Sequence, residues 1–172
     1  MTAEERAVAS ARIADATVTM LLAHVPAGGV VAVYAAKASE VDVQLIDERL
    51  RVNGRGVAYP RIGGGRQLAF HQVASMDELA IGSFSIREPI ASAPIVALGA
   101  IAAFVVPCVA FSRDGSRIGW GGGHYDSTLV AAAQAALRVG VAFDCQLVDD
   151  VPAEAHDIRL HHVITESRVY PV

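Results

Sequence analysis

The chain has 172 residues, of which 53% are hydrophobic, 19% are charged and 6% are aromatic. This composition predicts a single folded domain over residues 1–172 with an aliphatic core, and it excludes a disordered chain, a collagen helix and a coiled coil. The formal net charge of -4 offers no basic surface to a phosphate backbone, so no nucleic-acid partner is expected.

The N-terminus and the longest uncharged segment bear on where the protein works. The first residues are charged and lack the apolar core of a signal peptide, so secretion is not expected. Cys108 and Cys145 lie in apolar runs, which suits buried thiols in a reducing cytoplasm. Residues 89–112 carry no charge, which leaves two alternatives: a membrane span, or a buried helix-like stretch followed by a core strand. Pro94 and Pro107 favour the second alternative, so no membrane partner is expected.

Hydrophobic periodicity predicts alternating helices and strands along the chain. Thr2 and Ser39 are placed to cap the first two helices. The predicted helices cover residues 3–22, 40–51 and 128–137, with a short helix or turn at 76–80 and a turn at 60–66, and the predicted strands cover residues 30–34, 56–59, 67–73, 100–106, 139–143 and 161–165. This alternation is typical of a three-layer α/β/α sandwich with a mostly parallel, Rossmann-like sheet. In such sheets ligands bind at the carboxyl ends of strands, where the strand order reverses.

The strongest chemical signal is a glycine-rich segment with the sequence Arg117-Ile-Gly-Trp-Gly-Gly-Gly-His-Tyr-Asp126. Its glycines let backbone N–H groups approach an anion closely, which favours phosphate binding. Arg117 would add a planar guanidinium for phosphoryl oxygens, and Asp126 would offer Mg²⁺ a hard oxygen ligand. The alternative is a surface loop in which Asp126 caps the next helix. The segment fits neither common phosphate motif, because His124 replaces the last glycine of a dinucleotide fingerprint and Lys37, the only lysine, is too far away to complete a P-loop.

The order of several short segments resembles one known family. Val106-Pro-Cys-Val-Ala-Phe111, Asp114-Gly115 and the glycine-rich segment together look like the signature of the 5-formyltetrahydrofolate cyclo-ligase family, also called methenyltetrahydrofolate synthetase. The agreement extends in family order over nearly the whole chain. The other matching segments are Ala32-Val-Tyr34 with Ser39-Glu-Val-Asp42, Tyr59-Pro-Arg61, Ile86-Arg-Glu-Pro89, and Val151-Pro152 with His156-Asp157.

The resemblance implies an ATP- and Mg²⁺-dependent enzyme that converts 5-formyltetrahydrofolate into 5,10-methenyltetrahydrofolate, with ADP and phosphate as the other products. By resemblance, Arg117 and Tyr125 are catalytic, Asp126 and Asp157 match the positions associated with Mg²⁺, and Glu40 matches one that contacts the reduced folate. ATP and the reduced folate are therefore the expected partners. The implied ATP-binding residues are Arg117, Ile118, Gly119, Trp120, Gly121, Gly122, Gly123, His124 and Tyr125, and the implied folate-binding residues are Glu40, Trp120, Gly121, Gly122, Gly123 and His124.

Several of these residues also have a plain structural interpretation. Glu40 is favoured in the first turn of a helix, and Asp157 is suited to cap a turn. Trp120 has no core role inside a glycine-rich loop and is suited to stack on a ring. The histidines are too separated in sequence to predict a transition-metal site.

Two departures from the family pattern keep a second function open. The family opens with a short basic helix that helps to bind ATP, and this chain begins where that helix should have ended. His124 stands where the family usually has a phenol or phenyl ring, which places a titratable ring at the folate site. The alternative function is a non-catalytic homologue that binds a folate, a nucleotide or a protein partner. The sequence carries no signal for the oligomeric state.

Overall fold

The computed structural model describes residues 1–37, 39–82, 85–152, 154 and 157–172, and these residues form a mixed α/β architecture. His156, from the C-terminal segment of the family pattern, lies outside the described residues. The helices are α1 (Ala3–His24), α2 (Gln44–Val52) and α3 (His124–Ala131). The strands are β1 (Val30–Ala32), β2 (Gly56–Ile62), β3 (Leu68–Gln72), β4 (Leu79–Ile81), β5 (Arg87–Pro89), β6 (Ile95–Val96), β7 (Ile101–Pro107), β8 (Ala110–Phe111), β9 (Arg117–Ile118), β10 (Leu137–Val141), β11 (His162–Ile164) and β12 (Val169–Pro171).

Eight of these strands form one sheet in the order β12-β11-β10-β7-β1-β2-β3-β6. Neighbouring strands run parallel from β11 to β2, and the pairs towards the two edges are antiparallel. The chain places β2 on one side of β1 and then returns to place β7, β10 and β11 on the other side. The strand order therefore reverses between β1 and β7, and this is the point where an open parallel sheet leaves a crevice for ligands.

Apolar side chains pack on both faces of the sheet. Neighbouring residues of β7, Val105 and Val106, belong to two different core clusters because their side chains point to opposite faces. Ile13 of α1 and Ile46 of α2 belong to the cluster on one face. Leu129 of α3 belongs to the cluster on the other face. The predicted three-layer fold with a mostly parallel sheet is confirmed.

The first helix follows its prediction closely. The Thr2 hydroxyl accepts a hydrogen bond from the Glu5 amide (3.1 Å), and the Glu5 carboxylate accepts one from the Thr2 amide (2.6 Å). This reciprocal capping box fixes the start of α1 at Ala3. The helix continues to His24, slightly beyond the predicted end, and a turn that begins at Pro26 follows it.

The second helix begins later than predicted. Residues 41–43 are irregular and insert Val41 and Val43 into the core, so the first helical residue is Gln44. The Asp42 carboxylate accepts the Gln44 amide (2.9 Å) and takes over the local role assigned to Ser39. The prediction that Ser39 caps this helix and that Glu40 lies in its first turn is wrong, and Glu40 is left in a turn before the helix.

The third helix begins directly at the glycine-rich segment rather than at residue 128. Gly123 adopts a left-handed backbone (φ 63°) at the N-cap, and α3 covers only His124–Ala131. The predicted helix over residues 128–137 is wrong at its end, because Leu137 already pairs with Ala103 of β7. Asp126 consequently lies inside the first turn of α3, which excludes the interpretation that it caps the helix.

All six predicted strands are present with shifted ends. β2 extends to Ile62 because residues 58–62 pair with residues 72–68 of β3. The predicted turn over residues 60–66 is therefore wrong in its first half. The remaining residues of that turn, 63–66, form the loop between β2 and β3 at the carboxyl end of β2.

The uncharged segment 89–112 contains no buried helix. Residues 91–100 are mostly exposed, and Ile95 extends the sheet by pairing with His71 of β3. The core strand β7 that follows confirms the second half of this prediction. The buried helix-like stretch is wrong, because Pro94 and the edge pairing of residues 95–96 interrupt it. Among the helices in the described part of the chain, none has the length and apolar character needed to cross a membrane.

Candidate active site

A buried ion pair lies beneath the glycine-rich segment. Arg117 is presented by β9, which pairs with β8, and its guanidinium contacts the Asp126 carboxylate at 2.9 Å and 3.4 Å through its two terminal nitrogens. The two side chains are only 5% and 15% exposed. The same carboxylate accepts the Ile158 amide (3.2 Å), so the pair also holds the segment that follows Asp157. A charge-assisted fork of this kind fixes the plane of the guanidinium.

Two polar atoms next to this pair are buried without a hydrogen-bond partner among the described residues. They are the Arg117 Nε–H group and the Tyr125 hydroxyl. Burial, and then the charge of Glu40, raise the pKa of Tyr125 well above its usual range, so its hydroxyl remains protonated at neutral pH. Because an unpaired buried donor is costly, both groups are suited to bind an oxygen atom of a ligand.

Cys108 and Tyr34 complete the enclosed part of the site. Burial raises the pKa of the Cys108 thiol to about 12, with Arg117 lowering it and Glu40 raising it to smaller extents. Burial and then Glu40 also raise the pKa of Tyr34, whose hydroxyl donates to the carbonyl of Val41 (2.7 Å). The charge of Glu40 therefore raises the pKa of three buried groups. They are Tyr34 after β1, Cys108 after β7 and Tyr125 at the start of α3. The segments that follow β1 and β7 therefore meet around the Glu40 carboxylate.

Glu40 links the segment after β1 to the glycine-rich segment. Its Oε1 accepts the indole N–H of Trp120 (2.7 Å), and its Oε2 accepts the backbone amide of Lys37 (2.7 Å). The Lys37 ammonium lies 4.5 Å from the centre of the Trp120 ring. Trp120 is 61% exposed, so its sequence-based exclusion from the core is confirmed.

The glycine loop, residues 119–123, is an open cradle. Gly121 (φ 84°) and Gly123 (φ 63°) have left-handed backbones that other residues adopt only with strain, and a Cβ at either position would meet no atom within 4 Å. A Cβ at Gly122 would instead lie 2.7 Å from Cδ2 of the His124 ring. The first-turn amides of α3 follow directly, and helix N-termini attract anions. The loop can therefore accept a phosphate from the solvent side.

His124 and Ile118 frame this cradle. The Nδ1–H group of His124 donates to the carbonyl of Arg66 (2.8 Å), which joins the glycine loop to the loop between β2 and β3. Ile118 is 41% exposed beside Arg117. Asp157 accepts the Glu154 amide (2.8 Å) through Oδ2, a local contact of the turn-capping type.

Five of the sequence-predicted residues therefore lie together at the carboxyl edge of the sheet. Arg117, Tyr125, Asp126, Glu40 and Trp120 are connected by the contacts and charges given above. In the described residues, no group of three or more histidine, cysteine, aspartate or glutamate side chains has the arrangement of a metal site. Two carboxylates suffice for a nucleotide-bound Mg²⁺, because that ion takes most of its ligands from phosphates and water.

Sequence reasoning did not assign Lys37, Tyr34 or Cys108 to the site. Lys37 carried one signal, since it is the only lysine in the chain, but its partner Trp120 is distant in sequence. Tyr34 and Cys108 lie within apolar runs, shortly after the ends of β1 and β7, and have no local signal that separates a site wall from a core residue. The prediction that both cysteines are buried is correct for Cys108 and wrong for Cys145, which is exposed on a short helical turn after β10.

Comparison with known proteins identifies the family of this chain. The model of the 5-formyltetrahydrofolate cyclo-ligase family matches residues 1–166. The chain is 35% identical over 144 residues to the 5-formyltetrahydrofolate cyclo-ligase of Escherichia coli K12, an alignment that covers 81% of this chain and 79% of the relative. It is 40% identical over 91 residues to the enzyme of the same name from Mycolicibacterium smegmatis, covering 52% and 47% of the two chains.

Solved structures with the same fold include two 5,10-methenyltetrahydrofolate synthetases. The protein from Aquifex aeolicus superposes with a TM-score of 0.82 at 28% identity, covering 99% of this chain and 84% of that one. The protein from Mycoplasma pneumoniae has a TM-score of 0.78 at 22% identity, covering 96% and 90%, and it supports the fold alone. The chain is therefore an enzyme that belongs to the 5-formyltetrahydrofolate cyclo-ligase family.

Proposed function

We propose that this chain uses ATP and Mg²⁺ to close 5-formyltetrahydrofolate into 5,10-methenyltetrahydrofolate, with release of ADP and inorganic phosphate. The observation that carries the proposal is the buried Arg117–Asp126 pair, which lies beneath an open glycine loop at the switch point of the sheet. Family membership supports the same reaction.

The proposed reaction has two bond exchanges. The formyl oxygen attacks the γ-phosphorus of ATP, the bond from that phosphorus to the β-phosphate oxygen breaks, and ADP leaves. The N10 lone pair then attacks the activated formyl carbon, N10 loses its proton, and the carbon–oxygen bond breaks to release phosphate. Phosphoryl transfer of this kind depends on positioning and charge neutralisation more than on a covalent catalyst.

The glycine loop and Arg117 would hold the transferred phosphoryl group. Backbone amides of the loop and of the first turn of α3 would donate to its oxygens. Asp126 fixes the plane of the Arg117 guanidinium, whose buried Nε–H has no partner in the described structure and is free to donate to an oxygen. The guanidinium would therefore meet the phosphoryl oxygens in a preset orientation, which reduces the reorganisation required in the transition state.

Tyr125 and Glu40 would act on the folate side. The raised pKa of Tyr125 keeps its buried hydroxyl protonated, so it can donate a hydrogen bond to an oxygen that gains negative charge. Glu40 carries carboxylate oxygens that already accept N–H donors and would accept them from the reduced folate. The two residues would orient the formyl group towards the phosphate cradle.

The residues present fit a bound Mg²⁺ of the nucleotide type. Asp126 offers hard carboxylate oxygens, one of which is 3.4 Å from Arg117, and the Ile158 amide contact brings the neighbouring Asp157 towards it. Asp126 and Asp157 would hold the ion together with ATP phosphates and water. The ion would neutralise phosphate charge during transfer.

We also propose a cytoplasmic location for the enzyme. The support is that Cys108 and the exposed Cys145 are both free thiols, which a reducing compartment maintains.

Turnover of the proposed substrates tests the function directly. The purified chain, mixed with ATP, Mg²⁺ and 5-formyltetrahydrofolate, is expected to form the methenyl product, followed by its near-ultraviolet absorbance, with one ADP released per product. Leaving out ATP or Mg²⁺ is expected to stop both signals. If an active member of the family gives product under the same conditions and this chain gives none at high enzyme concentration, the proposed function is wrong.

A further inference from the structure

A side-chain clasp joins two segments of the candidate site that are far apart in sequence. The Trp120 indole N–H donates to Glu40 across 80 positions of sequence separation, at 2.7 Å. Glu40 in turn accepts the amide of Lys37 through its other carboxylate oxygen and donates its own amide to the Lys37 carbonyl (2.9 Å). The Lys37 ammonium returns to the Trp120 ring at 4.5 Å. The clasp is the closed set of contacts among Lys37, Glu40 and Trp120.

The clasp acts on the part of the site with the least conformational restraint of its own. Gly119, Gly121, Gly122 and Gly123 surround Trp120, and glycine leaves a backbone free to occupy many conformations. Trp120 is the only residue of the loop with a side chain that can be anchored. The shape of the loop therefore depends on where the indole is held.

The same contacts fix the carboxylate of Glu40. A glutamate in a turn has several rotamers, but here one oxygen is bound to Trp120 and the other to the Lys37 amide. The Lys37 ammonium adds a positive charge over the indole ring and strengthens the N–H group as a donor. Lys37 therefore acts on Glu40 through Trp120.

We propose that Lys37 and Trp120 are positioning residues that hold the Glu40 carboxylate and the glycine loop together as one folate-binding wall. The proposal rests on the proposed function for the identity of the substrate, but the clasp itself is present in the free protein. The clasp lowers the cost of ordering the loop when the folate binds. The opposite hypothesis is that Trp120 covers Glu40 and blocks it from the folate. Removing such a cover would strengthen folate binding.

The clasp can be measured in the free protein without any turnover. Trp120 is the only tryptophan, so the chain gives a single indole N–H signal in a ¹H–¹⁵N spectrum. We expect this signal at the position of a hydrogen-bonded indole, with slowed exchange with solvent. Lys37→Met, which keeps the length of the aliphatic stem, is expected to move it towards the position of a free indole and to raise acrylamide quenching of tryptophan fluorescence, whereas Lys37→Arg is expected to restore both signals.

Kinetics then separate positioning from covering. Lys37→Met is expected to raise the KM for 5-formyltetrahydrofolate about two- to fivefold with little change in kcat, because an exposed cation–π contact has this size. Trp120→Phe keeps a ring beneath Lys37 but removes the N–H donor, and it is expected to raise the same KM about tenfold. Arg168→Met is the matched control, since it removes a cation that lies 5.8 Å from the Tyr170 ring outside the candidate site, and its KM is expected to equal that of the parent.

Two results would overturn the proposal, and the first does not depend on the proposed function. One is an indole signal at the free position in the parent that Lys37→Met does not move. The other is a KM for the folate that falls or stays unchanged in both Lys37→Met and Trp120→Phe, which would show that the clasp covers the site or has no part in it. If the parent makes no methenyl product, the function proposed above fails and the indole signal alone decides whether the clasp exists.

Discussion

Two runs of glycine at the same edge of the sheet have different structures. Residues 63–65 join β2 to β3 as an exposed hairpin loop, and none of the three has a positive φ. Residues 119–123 join β9 to α3, and Gly121 and Gly123 both have left-handed backbones. The two loops touch where His124 donates to the carbonyl of Arg66. Three consecutive glycines therefore occur in both, but only one run needs them.

The difference lies in what surrounds each run. The loop of residues 119–123 has a buried cation before it, a helix N-terminus after it and an anchored tryptophan inside it. The hairpin loop follows half-buried Ile62 and precedes exposed Arg66, and no side-chain partner of the Arg66 guanidinium is found among the described residues. A glycine run thus becomes a candidate phosphate cradle through its neighbours.

The largest effect is expected for Gly121→Val. A β-branched side chain at φ 84° is strained whatever space surrounds it, so the cradle cannot keep its shape and nucleotide binding is expected to be abolished. Gly64→Val is the matched control in the hairpin loop, where the backbone is ordinary and no atom lies within 4 Å of the added Cβ. Calorimetric titration with Mg-ATP measures both. Equal loss of affinity in the two variants would remove the distinction between the loops.

Arg117→Ala is expected to lower kcat by roughly 10²-fold or more, because it removes a preset charged donor to the phosphoryl group. Arg117→Lys is expected to restore only part of that loss, since an ammonium cannot reproduce the planar fork. Arg66→Ala, the matched change beside the hairpin loop, is expected to leave kcat within about threefold of the parent because its exposed side chain has no place in the proposed mechanism. Parent-like kcat in Arg117→Ala would exclude that residue from the site.

Asp126→Asn separates two roles of one carboxylate. As the partner of a buried arginine, its loss is expected to lower the free energy of unfolding by about 3 kcal/mol and kcat by about tenfold. As a ligand of Mg²⁺, its loss is expected in addition to raise the Mg²⁺ concentration needed for half-maximal rate. Urea unfolding and a Mg²⁺ titration of the rate measure these effects separately. An unchanged Mg²⁺ requirement would restrict Asp126 to orienting Arg117.

The smallest effect concerns the buried thiol of Cys108. Because burial raises the pKa of Cys108 to about 12, its thiol remains neutral at pH 8 and is expected not to react with a disulfide reagent, while exposed Cys145 reacts at once. The thiol of Cys108 ionises at lower pH in the unfolded chain than in the folded one. Its ionisation therefore lowers the free energy of unfolding as pH rises past the ordinary cysteine pKa. Two fast thiols per native chain would show that Cys108 is not enclosed in the native protein.

Much of the fold was predictable because it is encoded locally. Alternation of apolar strands with capped helices gave the parallel sheet, and Thr2 marked the start of α1 correctly. The errors occur where long-range packing overrides a local pattern. Ser39 lost its capping role because Val41 and Val43 are drawn into the core, and the end of α3 was misplaced because Leu137 pairs with a distant strand.

The site shows the same division between local and distant information. Arg117, the glycines and Asp126 are contiguous in sequence, so their association was visible as a motif. The contact of Trp120 with Glu40 and Lys37 joins residues about half the chain apart and has no local signature. The pairing of Arg117 with Asp126 was also unexpected, because a guanidinium and a carboxylate in one motif were each assigned to a ligand rather than to one another.

The backbone amides of the two glycine loops provide the most direct test of which one holds the nucleotide. In a ¹H–¹⁵N spectrum of the parent titrated with Mg-ATP, the amide signals of residues 119–123 are expected to shift with saturation, while those of residues 63–65 remain in place apart from small changes near Arg66. Shifts confined to residues 63–65, or no shift in either loop at saturating Mg-ATP, would contradict the assignment of the phosphate cradle to residues 119–123.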